Sequence, residues 1–232
     1  MAEIVFCEEK QSGGIQVSVR IISCKTIEPE LRAAMARTGC EYEVLWLESG
    51  LHNVPRKLNA RLQELLGQCA GADTVLLAMS FCGNSVVGLK TGEFRLIMPR
   101  SDDCITLLMG SFRERMKYKA TYFLSEGWLK GERNLWQEYE TCIRRYGEER
   151  GKWIFSTMLE HYRNLALVDT GCSDREILEA EVKEIAEKLG LEYVWIPGTL
   201  EFLEQLLTGP WPRERFVVIP PGGEVTTEDC RL

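Results

Sequence analysis

The sequence predicts an α/β protein with a mostly parallel sheet and flanking helices. Short apolar, β-branched runs alternate with longer helical patterns, and the clearest run is DTVLLAM at residues 73–79. Such alternation favours right-handed βαβ crossovers, in which helices pack on parallel strands. The chain has 232 residues, of which 45% are hydrophobic and 27% charged. This composition is typical of a globular protein with a sizeable core.

The first two strands and helices have clear boundaries. The apolar run 17–23 predicts a strand, and acidic residues at the start of 28–38 with Gly39 after it predict a helix. A second strand follows at 42–47. Proline at position 55 suits the first turn of a helix over 55–69.

The middle of the chain continues the alternation. The strand 73–79 leads into the loop SFCGNSVVGLKTG, which contains three glycines, and 94–98 is a further strand. Ser101, Asp102 and Asp103 can cap one helix over 105–116, and 119–124 is the next strand. Residues from Gly127 onward predict an irregular connection.

The last part of the chain predicts further helices and strands. The helices cover 134–146, 152–162, 175–189 and a short stretch after Gly198, and the strands cover 165–169, 193–196 and 216–219. The two helices around Gly147 and Gly151 suggest a division into an N-terminal extension (1–16), a first α/β lobe (17–130) and a second α/β lobe (131–232). One continuous α/β domain is the alternative.

Composition excludes several classes of function. The net charge of −7 disfavours sequence-independent nucleic-acid binding, because phosphate binding needs a basic surface. No run approaches the roughly 20 apolar residues of a membrane-spanning helix, and the opening MAEIVFCEEK lacks a signal-peptide pattern. We therefore expect a cytoplasmic protein with neither a nucleic-acid nor a membrane partner; it can be a monomer or a homo-oligomer.

Cysteine and histidine residues recur at the predicted strand ends. Cys24, His52, Cys82 and Cys104 each follow a different strand, and ligands of open α/β sheets bind beyond the carboxyl ends of the strands. Thiolates and imidazole are preferred ligands of zinc and iron–sulfur clusters. These four residues are therefore the predicted metal ligands. In a cytoplasmic chain the nine cysteines are expected to be thiols, and the alternative role for each is apolar packing.

Other residues at this edge suggest catalysis or cofactor binding. Glu28, His52 and Asp103 are the candidate catalytic groups, although Asp103 can equally cap a helix. The expected cofactor contacts are in the glycine loop and two later segments: Gly83, Asn84, Ser85, Ser111 and Trp128. These residues fit either an enzyme or an accessory protein that binds a tetrapyrrole or a partner.

The loop at Cys82 also permits thiol chemistry. Backbone donors at Gly83 and Asn84 would lower the pKa of a thiol beside them. The C-G-N-S segment resembles, in placement alone, the strand-end cysteine of two-lobed cofactor-independent racemases, with Cys172 in T-G-C-S as the opposing thiol. Acid/base catalysis by two thiols is the third hypothesis.

Five segments together resemble one protein family. They are residues 24–28, L-H-N-V-P from Leu51, C-G-N from Cys82, P-R-S-D-D-C-I-T-L-L-M-G-S from Pro99 and T-Y-F-L-S-E-G-W from Thr121. Over about residues 18–219 the chain is similar to domain of unknown function 1638, an uncharacterised bacterial and archaeal family. The resemblance implies a role beside corrinoid-dependent methyltransferases or corrinoid proteins of anaerobes, with a corrinoid as a further cofactor. The chain lacks the DxHxxG pattern of many corrinoid carriers.

Overall fold

A computed structural model of the protein describes residues 17–51, 54–131 and 134–232. In chain order its strands are β1 (Val19–Cys24), β2 (Glu43–Leu47), β3 (Thr74–Ala78), β4 (Arg95–Pro99), β5 (Thr121–Leu124), β6 (Asn164–Asp169), β7 (Glu192–Pro197) and β8 (Phe216–Ile219). The helices are α1 (Glu28–Thr38), α2 (Pro55–Gln68), α3 (Cys104–Leu108), α4 (Phe112–Arg115), α5 (Glu126–Lys130), α6 (Leu135–Tyr146), α7 (Glu148–Met158), α8 (Arg175–Leu189) and α9 (Glu201–Thr208).

The strands form two sheets. The larger has the order β2-β1-β3-β4-β8, in which only β8 is antiparallel to its neighbour, and the smaller has the order β5-β6-β7 with all strands parallel. This confirms the predicted α/β class with a mostly parallel sheet. The carboxyl ends of β1 to β4 consequently meet at one edge of the larger sheet.

The chain passes from the larger sheet to the smaller one and back again. β5 belongs to the three-stranded sheet, whereas β8, near the C-terminus, pairs with β4 in the five-stranded sheet. Residues 121–124 and 216–219 thus each join a sheet other than that of the strand before them in the chain. Division into lobes at residue 130 stays a prediction.

The two sheets share a central hydrophobic core. Alternating residues along the strands face opposite sides: Ile21 packs in the central core, and Ile22 packs under α2 on the outer face. In the smaller sheet, Ala166 faces the central core and Leu167 packs against α6, α7 and α8. Since α1 and α9 also pack in the central core, helices lie between the sheets and outside each of them.

Local signals explain most helix ends. Gly39 ends α1 in the left-handed conformation with φ of 68°, as the sequence predicts, because glycine has no Cβ to clash there. Pro55 stands in the first turn of α2. Asp103 accepts a hydrogen bond from the Thr106 N–H at 2.7 Å and caps α3.

Three helix predictions differ from the structure. The single helix over 105–116 is two helices, because Gly110 adopts φ of 81° and Ser111 caps α4. The predicted irregular connection contains α5, and α7 begins at residue 148 rather than 152. Within the described segments, no helix combines the length and apolar character needed to cross a membrane.

Candidate functional site

Three cysteines line one small cavity at the carboxyl edge of the larger sheet. Cys24, Cys82 and Cys104 surround a space of about 30 Å³, which we call the thiol cavity. Its other walls are Thr26, Glu48 and four apolar side chains: Ile27, Leu51, Leu58 and Met79. A space of this volume holds a water molecule or one ion.

Cys24 reaches the cavity because it is the last residue of β1, a central strand. Its Sγ lies 3.0 Å from Thr26 Oγ1, in the single turn of 3-10 helix Lys25–Ile27. Burial raises the pKa of the Cys24 thiol, the hydrogen bond to Thr26 opposes this, and nearby Cys104 and Glu48 add to the increase. Cys24 is thus protonated at neutral pH.

Cys82 is held in an unusual backbone conformation. Its φ of 45° is positive, which is rare for residues other than glycine and costs of the order of 1–3 kcal/mol. Two hydrogen bonds secure this loop: the Phe81 and Cys82 N–H groups donate to the carbonyls of Ser101 and Asp102, at 2.9 and 3.0 Å. They join the loop after β3 to the loop after β4, and so bring Cys82 next to Cys104.

Cys104 is the first residue of α3, directly after the loop that follows β4. Interaction with the neighbouring Cys82 thiol raises the pKa of Cys104 well above its ordinary 9.0, and burial and the Asp103 carboxylate act in the same direction. Ionisation of Cys104 is unfavourable here, because a thiolate would be poorly solvated in these low-dielectric surroundings. Cys104 therefore stays protonated unless a cation replaces its proton.

Glu48 is an exposed carboxylate at the rim. It follows β2, and its carboxylate pairs with Arg61 at 3.4 Å. A hydrogen bond from its own backbone and the Arg61 guanidinium lower the pKa of Glu48. An ionised carboxylate thus lines the same cavity as the thiols, although no sequence feature distinguished Glu48 from the other loop acids.

The three predicted catalytic groups have different positions. Glu28 starts α1, pairs with Arg32 at 2.6 Å and lies outside the thiol cavity. Asp103 caps α3 and pairs with Arg115 at 3.2 Å, so it has the helix-capping role that the sequence analysis named as its alternative to catalysis. His52, also a predicted metal ligand, falls outside the described residues. Catalysis by any of them stays a prediction.

None of the predicted cofactor contacts lines the thiol cavity. Gly83 and Asn84 are exposed, while the buried Ser85 hydroxyl donates to the Phe81 carbonyl at 3.1 Å. Ser111 accepts a hydrogen bond from the Glu114 N–H and so caps α4. Trp128 packs between the central core and the cluster of the smaller sheet. A role of these residues in cofactor binding stays a prediction.

The remaining cysteines lie away from the thiol cavity. Cys172 follows β6 in the smaller sheet, where the Thr170 hydroxyl donates a hydrogen bond to its Sγ at 3.2 Å, and it does not line the thiol cavity. Seven of the described cysteines are free thiols: Cys24, Cys69, Cys82, Cys104, Cys142, Cys172 and Cys230. Cys40 is disulfide-bonded, which corrects the expectation that all are thiols.

Metal coordination would require some rearrangement of the thiol cavity. In residues 17–51, 54–131 and 134–232, no three His, Cys, Asp or Glu side chains stand together as a ready metal site. The donor types nevertheless suit a soft cation, since thiolates bind Zn²⁺ and Cu⁺ strongly. The cysteines share a cavity with the right chemistry for such an ion but are not yet set around one point.

The family is established by sequence comparison. A family model described as "Protein of unknown function (DUF1638)" matches residues 46–207, more than half of the chain. The chain belongs to this family. In this DUF1638 protein, Cys82 and Cys104 lie within the matched residues and Cys24 lies before them. Comparison with curated proteins and with solved structures found no match.

Proposed function

We propose that the protein binds a single thiophilic metal ion in the thiol cavity through Cys24, Cys82 and Cys104. The observation that carries this proposal is that three free thiols from three neighbouring parallel strands line one space of about 30 Å³. Three thiols that line one space can reach a common ion, whereas cysteines that only pack as small hydrophobes have no need to share a cavity. Zinc is the first candidate because it accepts three thiolates with a fourth oxygen ligand.

The size of the cavity favours one ion over larger cofactors. A [4Fe–4S] cluster usually has four cysteine ligands, whereas three line this space. A corrin macrocycle is far larger than a cavity that holds about one water molecule. The iron–sulfur cluster, the corrinoid and the link to methyltransferase components therefore stay secondary predictions.

Binding would exchange protons for the metal. The pKa values of Cys24 and Cys104 are raised, so both thiols are neutral before binding. Metal ligation requires thiolates, and their protons pass to solvent as the bonds form. A bound cation would also stabilise the closely placed sulfur atoms, and it would draw them towards one centre by rotation of their side chains. Glu48 is available at the rim as an oxygen ligand.

Metal analysis of anaerobically purified protein tests the proposal. We expect about one equivalent of zinc or another thiophilic ion per chain, and its loss in Cys82→Ser and Cys104→Ser. Cys142→Ser is the matched control, because Cys142 is a partly buried free thiol on α6, outside the thiol cavity. Reconstitution with Co²⁺ should give thiolate charge-transfer absorption in the wild-type protein and in Cys142→Ser, but not in Cys82→Ser or Cys104→Ser. Equal metal content in all proteins would contradict the proposal.

The same preparation separates the rival cofactors. Iron with sulfide and a broad visible spectrum would indicate a cluster instead of a single ion. Titration with cobalamin addresses the accessory role: a spectral change retained by both Cys82→Ser and Cys104→Ser would place the corrinoid elsewhere and independent of the thiols.

A further inference from the structure

Two of the three cysteines in the thiol cavity belong to loops that are joined to each other. The Cys82 N–H group donates to the Asp102 carbonyl at 3.0 Å, which holds the loop after β3 against the loop after β4, two residues before Cys104. The side chains of Cys82 and Cys104 are in hydrogen-bond contact, and both line the same space of about 30 Å³. The backbone thus keeps these two thiols next to each other.

Cys24 lines the same cavity but has a different partner. Its Sγ lies 3.0 Å from Thr26 Oγ1, in the turn that follows its own strand. Of the three thiols, Cys82 and Cys104 are consequently the pair best placed to form a covalent bond, because they contact each other directly.

Cys82 is the more accessible member of this pair. Both cysteines are partly exposed, but Cys82 is followed by the exposed Gly83 and Asn84, whereas Cys104 is followed by the buried Ile105. An oxidant from solvent therefore meets Cys82 first. An accessible cysteine beside a second one that can attack it is the arrangement typical of reversible thiol oxidation.

We propose that Cys82 and Cys104 form a redox modification site, which hydrogen peroxide converts to a disulfide with loss of the metal ion from the thiol cavity. The Cys82 sulfur attacks the O–O bond of the peroxide, which gives a sulfenic acid on Cys82 and one water molecule. The Cys104 sulfur then attacks the sulfenic sulfur and displaces a second water molecule. The two thiols together lose two electrons and two protons, and these reduce one peroxide to two waters.

The disulfide would leave one thiol where the metal ion needs several thiolates. Cys24 alone would remain as a thiol ligand, and a soft cation is held by thiolates rather than by disulfide sulfur. A thiol reductant would restore both cysteines by exchange. Release of the metal rests on the proposed function, whereas formation of the disulfide requires only the two cysteines.

Peptide mapping of oxidised, metal-free protein tests the disulfide. The full chain is treated with hydrogen peroxide, the remaining thiols are alkylated, and the peptides are identified by mass spectrometry. We expect a Cys82–Cys104 cross-link that dithiothreitol removes. Cys24→Ser and Cys142→Ser should form the same cross-link, since neither cysteine belongs to the pair. A cross-link to Cys24, irreversible oxidation of Cys82, or unchanged thiols would each overturn the proposal.

Two single variants test the order of the steps. In Cys104→Ser the sulfenic acid on Cys82 has no resolving thiol, so dimedone should label Cys82 after peroxide treatment. In Cys82→Ser, Cys104 should take up little dimedone. Circular dichroism confirms that both variants are folded, and preferential labelling of Cys104 would overturn the assigned order.

Zinc-loaded protein tests release of the metal. A chromophoric chelator should report about one equivalent of zinc released per disulfide formed, with the same yield in Cys142→Ser. Zinc retained by cross-linked protein would overturn the release. A protein that forms the cross-link but never binds zinc would contradict the proposed function and leave the disulfide standing, so the two proposals fail separately.

Discussion

At the scale of single residues, the buried acid Glu30 lies in the first turn of α1, the helix that follows β1. Glu30 has no exposed surface, and neither of its carboxylate oxygens has a hydrogen-bond partner among the described residues. Burial raises its pKa to about 7, and the neighbouring Glu126 carboxylate adds to this while Ser125 and Lys130 oppose it. The sequence suggested only an acid at the start of α1, because its contact with α5 is a tertiary one.

Glu30→Gln should stabilise the protein at alkaline pH. Between pH 4.5, the ordinary pKa, and about 7, the folded state retains a proton that the unfolded state has released. The Glu30 contribution to the free energy of unfolding therefore falls as pH rises through this window. The variant should gain up to about 3 kcal/mol at pH 8 and little at pH 4.

Urea unfolding at both pH values measures this difference. Glu41→Gln is the control, because Glu41 is exposed before β2 and should change stability by less than about 0.5 kcal/mol. A gain for Glu30→Gln that is equal at pH 4 and pH 8 would show that the carboxyl group is not the cause.

Thiol protonation should make metal binding strongly dependent on pH. The pKa values of Cys24 and Cys104 lie above the ordinary 9.0, so each ligating thiol loses a proton on binding. The apparent affinity should rise by about tenfold per pH unit for each proton released. Competition with a chromophoric chelator between pH 6 and 8 measures the slope. A slope of zero would contradict thiolate ligation.

At the scale of elements, α5 depends on a glycine. Gly127→Ala would place a methyl group 2.0 Å from the Thr26 carbonyl oxygen and should cost about 3 kcal/mol or more, because neither backbone can move without shifting its element. Gly67→Ala is the matched control: Gly67 lies in α2 with no atom within 4 Å of a Cβ, and alanine there should add about 0.5–1 kcal/mol. Thermal unfolding compares the two, and similar melting temperatures would refute this packing.

Periodicity and end signals predicted most elements, and the exceptions have local causes. The helix over 105–116 is interrupted at Gly110, whose hypothetical Cβ would contact Thr199 at 3.2 Å, and Thr199 is too distant in sequence to be foreseen. The short α5 has few residues for a periodic pattern, and its position against the 3-10 turn is a tertiary contact. Sequence patterns predict long periodic elements best, so short elements that depend on tertiary packing are the hardest to predict.

At the scale of the whole molecule, the shared central core should make unfolding cooperative. Leu203 on α9 is fully buried in this core, which contacts both sheets. Leu203→Ala should lower the free energy of unfolding by about 2–5 kcal/mol and leave one transition by circular dichroism and tryptophan fluorescence. Ile177→Ala, at an exposed position on α8, should have little effect. Two separate transitions would instead show that the sheets unfold independently.

The sequence alone determined the α/β class, the alternation of strands and helices, and the placement of Cys24, Cys82 and Cys104 after separate strands. These properties follow from hydrophobic periodicity and local backbone preferences. Tertiary structure decided the strand order, the return of β8 to the larger sheet, and the choice of Glu48 over Glu28 as the acid beside the thiols. Those features depend on contacts between residues far apart in the chain, whose geometry no local pattern encodes.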